Sequence, residues 1–210
     1  MAGSVEAKQV HLSELSIIRN IHSSDSSKIF LVKYKGAKYC LKVFHVNNVP
    51  GFTSTGRDLC RYRCEIEAYK LLSAAEICEQ GFVPKFHALF EDIDPLTPTL
   101  TSHLNAFLGD LHHPCAILLE YLPHAEPLNC ENYARDRIQK AIQGITAVHH
   151  ARVVHNDPYP NNVLIVPGAA TNGSDDRVVW IDFDIALNFG SEKVGGRLQY
   201  DESIENFTHI

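Results

Sequence analysis

The sequence predicts an α+β protein with two lobes, a sheet-rich first half and a mainly helical second half. Three observations predict this class. The first half alternates apolar and polar residues, the second half contains a long segment with helical spacing, and two later apolar runs carry acids and amides. The 210 residues, 45% hydrophobic and 21% charged, are enough to bury a sizeable core.

The first half is predicted to contain an antiparallel sheet and one helix. The run IFLVKYKGAKYCLKVF indicates two strands joined by a turn at Lys35-Gly36, and LSIIRNI before it indicates a further strand. Asp58 or a neighbour is predicted to cap a helix that ends at Gly81. An extended segment follows. The Pro/Thr-rich stretch DIDPLTPTLTS is predicted to be a surface insertion, and residues 115–122 a short buried strand.

The second half is predicted to contain a long core helix and then two strands. The strands are the runs VVHNDPYPNNVLIV and RVVWIDFDIA, and a loop-forming stretch rich in Gly, Asn and Asp separates them. A hinge at residues 123–128 gives predicted domains of 1–122 and 123–210. The helix is expected over residues 131–152, with an apolar stripe at helical spacing formed by Ile138, Ala141, Ile142, Ile145 and Val148.

Composition argues against several classes of protein. The net charge of −6 makes a nucleic-acid-binding surface unexpected. No apolar run approaches the roughly 18 residues of a membrane helix, and the start of the sequence lacks the pattern of a signal peptide. The six cysteines contain no C-x-x-C pair, so we expect reduced thiols in a protein of the cytoplasm, with the nucleus as the alternative location.

Polar side chains interrupt the two later strands, where burial is expected. Asp157, Asn162 and Asp182 all lie beside strongly apolar residues. A carboxylate in apolar surroundings is costly unless a positive partner lies against it. Carboxylate and amide oxygens suit a divalent cation such as Mg²⁺. The alternative is that the two acids only cap helices or form turns. The pattern favours a cation site.

Four motifs in a fixed order resemble the protein-kinase-like phosphotransferase superfamily. Residues 155–162 fit H-x-D-x-x-x-x-N, and residues 182–184 stand where that superfamily has D-F-G. Lys42 in YCLKVF matches the strand lysine of V-A-I-K, and Glu65 lies on the next helix. The resemblance covers residues 15–188. It implies a two-lobed fold with an antiparallel-sheet first lobe and a shortened, mostly helical second lobe.

The resemblance implies that the chain binds ATP. Lys42 would contact the α- and β-phosphates, and Glu65 would hold Lys42 in place through an ion pair. Glu67, on the same helix, remains an alternative to Glu65, and Lys42 alone would more often be a solvated strand lysine. The backbone near Glu120 and Leu122 would hydrogen-bond adenine.

The resemblance also implies the roles of the polar residues in the second half. Asn162 and Asp182 would hold Mg²⁺, and Asp157 would orient the attacking hydroxyl group or accept its proton. His155 would brace the loop without reacting.

The sequence departs from the superfamily at four places. The stretch HSSDSSK replaces the glycine-rich loop, which puts nucleotide affinity in question. Asp184 replaces the glycine of D-F-G. An acid at this place is similar to what the choline-kinase and aminoglycoside-phosphotransferase branches carry. Only 26 residues follow Asp184, so the second lobe is expected to be short, as in Rio-like kinases and small fungal kinase-like proteins. Tyr159 also stands where Ser/Thr protein kinases usually have lysine.

The leading interpretation is an ATP- and Mg²⁺-dependent phosphotransferase that acts on a small molecule or a specialised protein partner. The phosphate acceptor is not specified by the sequence. One alternative is a pseudokinase or nucleotide-binding scaffold without turnover, and another is different ATP chemistry such as adenylylation. A short second lobe would expose apolar surface, which predicts a protein partner or a homodimer there. The side chains expected to cover that lobe are Leu198, Tyr200, Ile204 and Phe207.

Overall fold

The computed structural model describes residues 10–48, 50–54, 56–97, 100–169 and 175–190. Over these residues the fold is α+β, as predicted. The strands are β1 (Ser16–Ser23), β2 (Ser27–Tyr34), β3 (Ala37–Phe44), β4 (Phe86–Phe90), β5 (Cys115–Glu120), β6 (Glu126–Pro127), β7 (Val153–Val154), β8 (Val163–Val166), β9 (Arg177–Trp180) and β10 (Leu187–Asn188). The α-helices are α1 (Arg61–Ala74), α2 (Ile77–Gln80), α3 (Thr101–Leu104) and α4 (Arg135–His150), and short 3₁₀ turns lie at Leu12–Glu14, Asn105–Phe107 and Pro160–Asn162.

The chain divides into two compact units. The first unit comprises residues 1–48 and 87–121, and the second comprises residues 49–86 and 122–210. Helix α1 therefore belongs to the second unit, whereas the predicted first lobe, residues 1–122, includes it. The physical reason is that α1 contacts β7 and β10.

A five-stranded sheet with the order β1-β2-β3-β5-β4 organises the first unit. The pairs β1–β2, β2–β3 and β3–β5 are antiparallel. The turn between β2 and β3 contains Lys35 and Gly36 with φ values of 46° and 90°. Two left-handed residues in a two-residue turn match the twist of the strands that they join. The predicted hairpin and the predicted strand before it are thus both confirmed.

The core of the first unit includes residues from the segment that was predicted to be a surface insertion. Ile93 and Leu100 of that segment are buried, as are Leu104 and Phe107 just after it, beside sheet residues such as Val32. The prediction was wrong because it followed the Pro/Thr-rich composition. The apolar residues at 100, 104 and 107 recur at spacings of four and three, as expected for one face of a helix.

Helices α1 and α2 occupy the region predicted to be one helix. The left-handed backbone of Glu76, with φ 58°, separates them, and Gly81 with φ 85° ends α2 as predicted. Cys60 is the N-cap residue of α1, and its side chain makes no capping bond. Asp58 instead accepts a hydrogen bond from the Cys60 backbone N–H at 2.8 Å. Asp58 therefore fixes the entry to α1 without being its cap.

Helix α4 confirms the long helix of the second unit. Ala141, Gly144 and Val148 are buried on its inner face. Trp180 of β9 packs on this face, and its Nε1–H donates to the carbonyl oxygen of Ala141 at 2.8 Å. Ile142 was predicted to lie on the apolar stripe, but it is 57% exposed. The buried face is formed by Ala141, Gly144 and Val148, and Ile142 is turned about 100° from Ala141 around the helix axis.

Short strand pairs complete the second unit. Strand β8 pairs with β6 and β9, and β7 pairs with β10, all antiparallel. The four tail side chains that were expected to cover this part of the protein, Leu198, Tyr200, Ile204 and Phe207, lie outside the described residues. Among the helices that the structure describes, none combines the length and the apolar character needed to cross a membrane.

Candidate functional site

Two loops of the second unit carry most of the candidate residues. One loop joins β7 to β8 and the other joins β9 to β10. Because β7 pairs with β10 and β8 pairs with β9, the two loops lie side by side. Direct bonds join them: the Ile181 N–H donates to the Asn162 carbonyl at 3.0 Å, and Asn156 Nδ2 donates to the Ile185 carbonyl at 3.1 Å.

Asp157 and Asn162 are in direct contact. Asn162 is 3% exposed. Its Nδ2 donates to the backbone carbonyl oxygen of Asp157 and to the carboxylate Oδ2 of the same residue, both at 2.9 Å. The Oδ1 atom of Asn162 accepts from Asn161 Nδ2 at 3.0 Å. The amide nitrogen is thus committed to Asp157, and a carbonyl oxygen has a second lone pair that can bind a cation.

Asp182 lies on the neighbouring loop in a strained conformation. Its φ is 68°, in the left-handed region that non-glycine residues seldom adopt. Asn156, in the first loop, has φ 63°. Asn and Asp tolerate this conformation better than other non-glycine residues, and such strain concentrates at functional sites. Both loops are therefore held in specific shapes by the strands beside them.

His155 links the two loops from beneath. It is 1% exposed, and its Nε2 lies 2.8 Å from the carbonyl oxygen of Ile181, to which it donates. Burial lowers the pKa of His155, against the opposing effects of the Ile181 bond and of the charges of Asp182 and Asp157. The ring packs 4.7 Å from that of Phe183, between centroids. The buried imidazole therefore joins the two loops. That His155 braces them without reacting stays a prediction.

Arg61 and Asp184 form an ion pair that was not predicted from the sequence. Arg61 NH1 donates to Asp184 Oδ2 at 2.7 Å, and the Asp184 side chain is buried while that of Arg61 is 52% exposed. The bond to Asp184 is the main cause that raises the pKa of Arg61, and the charges of Asp182 and Asp157 add to it. Arg61 therefore lies within electrostatic reach of three carboxylates. The sequence feature that could have indicated a role for Arg61 is its position four residues before Glu65, on the same face of α1.

Lys42 and Glu65 are both buried, in different units. Lys42 on β3 is 5% exposed, and its Nζ lies 5.1 Å from the centroid of the Phe44 ring. Glu65 on α1 is 1% exposed. Glu67 instead accepts a bond from Lys70 at 2.8 Å near the surface. Lys42 is not a solvated lysine of a strand. Its pairing with Glu65 stays a prediction.

The two residues predicted to mark the adenine site lie at the end of β5. Glu120 is the last residue of that strand and pairs in register with Tyr39 of β3. Leu122 follows two residues later, and both are partly buried. Their contact with adenine stays a prediction.

The turn that replaces the glycine-rich loop is closed by its own serine residues. The Ser24 hydroxyl accepts from the backbone N–H groups of Ser26 and Ser27, at 3.3 and 3.1 Å. The Ser24 N–H donates to the Ser27 carbonyl at 2.9 Å. Three backbone N–H groups that a phosphate could use are therefore already bonded within the turn.

The oxygen donors of the two loops fit Mg²⁺ better than a softer metal. Among the described residues, no group of three or more His, Cys, Asp or Glu side chains is arranged to hold a metal ion. Mg²⁺ is usually held by one or two carboxylates together with water and substrate phosphates. Asp182 and Asn162 would provide such a partial set, with Asp157 beside it.

Comparison with protein-family models and with curated proteins found no match to this chain.

Proposed function

We propose that the chain is a kinase-like phosphotransferase of the protein-kinase-like superfamily, with two lobes and a shortened second lobe. The observation that carries the proposal is the double hydrogen bond from Asn162 to Asp157, with Asp182 on the adjacent loop. This contact joins Asp157, which is expected to orient the acceptor hydroxyl group, to Asn162, which is expected to hold the metal ion. The buried Lys42 and Glu65 add to the support, since charged residues are seldom fully buried without a specific role or partner.

The chain's own residues would position the reactants. Asp157 would accept a hydrogen bond from the acceptor hydroxyl group and orient it toward the phosphate. Asn162 and Asp182 would hold Mg²⁺, and Lys42, supported by Glu65, would neutralise phosphate charge. The Mg²⁺ ion, when bound, supplies further charge neutralisation on the phosphates. Adenine would lie against the backbone near Glu120 and Leu122.

The acceptor is proposed to be a small molecule or a specialised protein partner. Asp184, which replaces the glycine of D-F-G, is paired with Arg61. This ion pair ties the loop after Asp182 to helix α1. A partner protein or a second copy of the chain would bind the second unit.

A second candidate function is a nucleotide-binding scaffold or pseudokinase without turnover. The serine-closed turn favours it, because Ser24 occupies backbone N–H groups that would otherwise bind phosphate. Arg61 favours it too, because a guanidinium near the acids competes with a cation for their charge.

Titration with Mg²⁺-ATP tests the proposal. Isothermal calorimetry should give a dissociation constant in the micromolar to millimolar range, roughly −4 to −8 kcal/mol. Bound nucleotide should raise the melting temperature by mass action. Asp182→Asn should weaken binding because it removes a charge from the metal site. Asp157→Asn should bind nucleotide almost normally but transfer phosphate orders of magnitude more slowly.

A control variant outside the site and two variants at Lys42 and Glu65 make the titration and transfer results decisive. Asp92→Asn, at an aspartate with an 88% exposed side chain in the first unit, should behave like the unaltered chain. Lys42→Met should reduce phosphate transfer, and Glu65→Gln should reduce it less. Flat titrations at several millimolar Mg²⁺-ATP would refute nucleotide binding. Binding without detectable hydrolysis or transfer to any acceptor tested would favour the scaffold.

A further inference from the structure

Arg61, the first residue of α1, is joined to the loop that carries Asp182. Its NH1 donates to Oδ2 of Asp184 at 2.7 Å, and Asp184 lies two residues after Asp182. Helix α1 also contacts β7 and β10, the strands that border the two candidate loops. These contacts place the guanidinium beside the candidate site, although none of the four sequence motifs includes it.

Most of the hydrogen-bonding groups of the Arg61 side chain are open to a ligand. A guanidinium carries more N–H donors than one carboxylate oxygen can accept. Within the part of the chain that the structure describes, the bond to Asp184 is the only hydrogen bond that this side chain makes. The side chain is 52% exposed, so a group that arrives from the solvent can reach it. Phosphate suits these donors, because a planar guanidinium can form paired bonds with its oxygens.

The acids around Arg61 determine when a negative group can bind beside it. Asp184, Asp182 and Asp157 all lie within electrostatic reach of the guanidinium. Three carboxylates would repel a phosphate that arrives alone. A divalent cation held by Asp182 and Asn162 would offset two of the three negative charges, and the charge of Arg61 would then attract the phosphate. Arg61 therefore suits a phosphate that binds together with Mg²⁺.

The proposed phosphotransferase lacks an assigned donor for the terminal phosphate of ATP. The backbone N–H groups of Ser24, Ser26 and Ser27 are bonded within their own turn, so they do not serve as the donors of a glycine-rich loop. Lys42 is assigned to the α- and β-phosphates. The terminal phosphate must approach the acceptor hydroxyl group, which is assigned to Asp157. Arg61 lies within electrostatic reach of that acid.

We propose that Arg61 binds the terminal phosphate of Mg²⁺-ATP and replaces the donors that the glycine-rich loop supplies in related folds. The N–H groups of the guanidinium that do not contact Asp184 would donate to the phosphate oxygens. The bond from NH1 to Asp184 would keep the guanidinium beside the loop of Asp182. This inference rests on the proposed phosphotransferase function and adds a substrate-binding residue to it.

The scaffold alternative gives Arg61 the opposite effect on nucleotide binding. In that alternative the guanidinium competes with the cation for the carboxylates, so its removal should strengthen the binding of Mg²⁺-ATP. If Arg61 instead binds the terminal phosphate, its removal should weaken the binding of Mg²⁺-ATP. The direction of the change therefore distinguishes the two roles.

Nuclear magnetic resonance titration with Mg²⁺-ATP, Mg²⁺-ADP and adenosine tests the inference. We expect Arg61→Gln to bind Mg²⁺-ATP roughly tenfold or more weakly than the unaltered chain, which corresponds to the loss of one charge-assisted bond. Mg²⁺-ADP lacks the terminal phosphate, and adenosine lacks all three phosphates. Both should therefore bind almost equally to the variant and to the unaltered chain.

Two further variants serve as control and substitute. Arg135 is the exposed first residue of α4 in the same unit, so Arg135→Gln removes the same charge from a matching position and should bind all three probes normally. Arg61→Lys keeps the charge but lacks the planar fork of donors. It should show a smaller loss that is again specific to Mg²⁺-ATP. If circular dichroism shows that Arg61→Gln does not fold, Arg61→Lys takes its place.

The outcomes separate failure of the inference from failure of the proposed function. Equal losses for Mg²⁺-ATP and Mg²⁺-ADP would mean that Arg61 only supports the loop, and would overturn the inference. Unchanged or tighter binding of Mg²⁺-ATP by Arg61→Gln, or an equal loss in Arg135→Gln, would overturn it too. If the unaltered chain binds none of the three probes, the proposed function and the inference fail together.

Discussion

The side-chain amide of Asn162 donates two hydrogen bonds to Asp157, and we expect the loss of these bonds to destabilise the protein. Asn162→Ala removes a buried amide and leaves the carbonyl and carboxylate oxygens of the half-buried Asp157 without these donors. We expect the variant to lower the free energy of unfolding by about 1–3 kcal/mol. Urea denaturation at pH 7 measures this. Asn161→Ala, at an exposed amide next to it, should cost about 0.5 kcal/mol or less, and equal losses in the two variants would contradict the assigned roles.

The lowered pKa of the buried His155 leads us to expect that stability depends on pH. Because burial lowers its pKa below the ordinary value of 6.5, the unfolded chain takes up a proton more readily than the folded chain. The stabilising contribution is fully present above about pH 6.5 and is lost as the pH falls from there toward the pKa of the folded state. His155→Gln should therefore reduce the loss of stability between pH 7 and acid pH.

Denaturation curves at several pH values measure this effect. Burial also lowers the pKa of His149, so the variant should reduce the pH dependence without abolishing it. His112→Gln, at an exposed position of the first unit, should keep the full dependence of the unaltered chain. An unchanged pH dependence in His155→Gln would show that His155 is not held neutral by burial.

At the scale of elements, the packing of α4 on β9 depends on a missing side chain. A Cβ atom at Gly144 would lie 3.0 Å from Cδ1 of Trp180 and 3.3 Å from Cδ1 of Phe82. The Trp180 ring cannot shift freely, because its Nε1–H is bonded to Ala141. Alanine favours a helix over glycine by about 0.5–1 kcal/mol, but overpacking costs about 1–3 kcal/mol.

We therefore expect Gly144→Ala to destabilise the chain by about 1 kcal/mol, measured as a lower midpoint of urea unfolding. Gly109→Ala is the matched control, because its Cβ would meet no atom within 4 Å. It should change the free energy of unfolding by less than about 0.5 kcal/mol. A gain of stability in Gly144→Ala would mean that helix propensity outweighs the contact with Trp180.

Regular elements were predictable wherever one periodicity extended over many residues. The hairpin at Lys35 and Gly36 and the helix α4 were both predicted because alternation and helical spacing are local properties of the chain. The burial of Ile93 and Leu100 was not predicted, because the helical spacing of apolar residues there extends only over residues 100–107 and the Pro/Thr-rich composition before it indicated a surface loop. The candidate site was predictable to the same extent. Its acids lie in recognisable local motifs, so they were predicted. The bond between Arg61 and Asp184 joins residues 123 positions apart, so no local pattern indicates it.

At the scale of the whole molecule, the apolar side chains left exposed on the second unit predict association. Tyr133 and Ile142 are 65% and 57% exposed. If a second copy covers them, sedimentation velocity should show self-association that increases with protein concentration, and Ile142→Ser should weaken it. Leu111→Ser is the control, because Leu111 is 70% exposed on the first unit. A monomer at all concentrations up to tens of micromolar, or equal effects of the two variants, would argue against a homodimer through α4.

The order of strands in the five-stranded sheet has a consequence for the chain while it is being synthesised. Strand β5 lies between β3 and β4, although it is the last of the five to leave the ribosome. The first three strands can form a meander early, but β3 has an unpaired edge until residues 115–120 emerge. An exposed strand edge invites pairing with other chains. The nascent protein therefore passes through an interval in which β3, which carries Lys42, is open to misassembly, and chaperones that mask strand edges should matter most then.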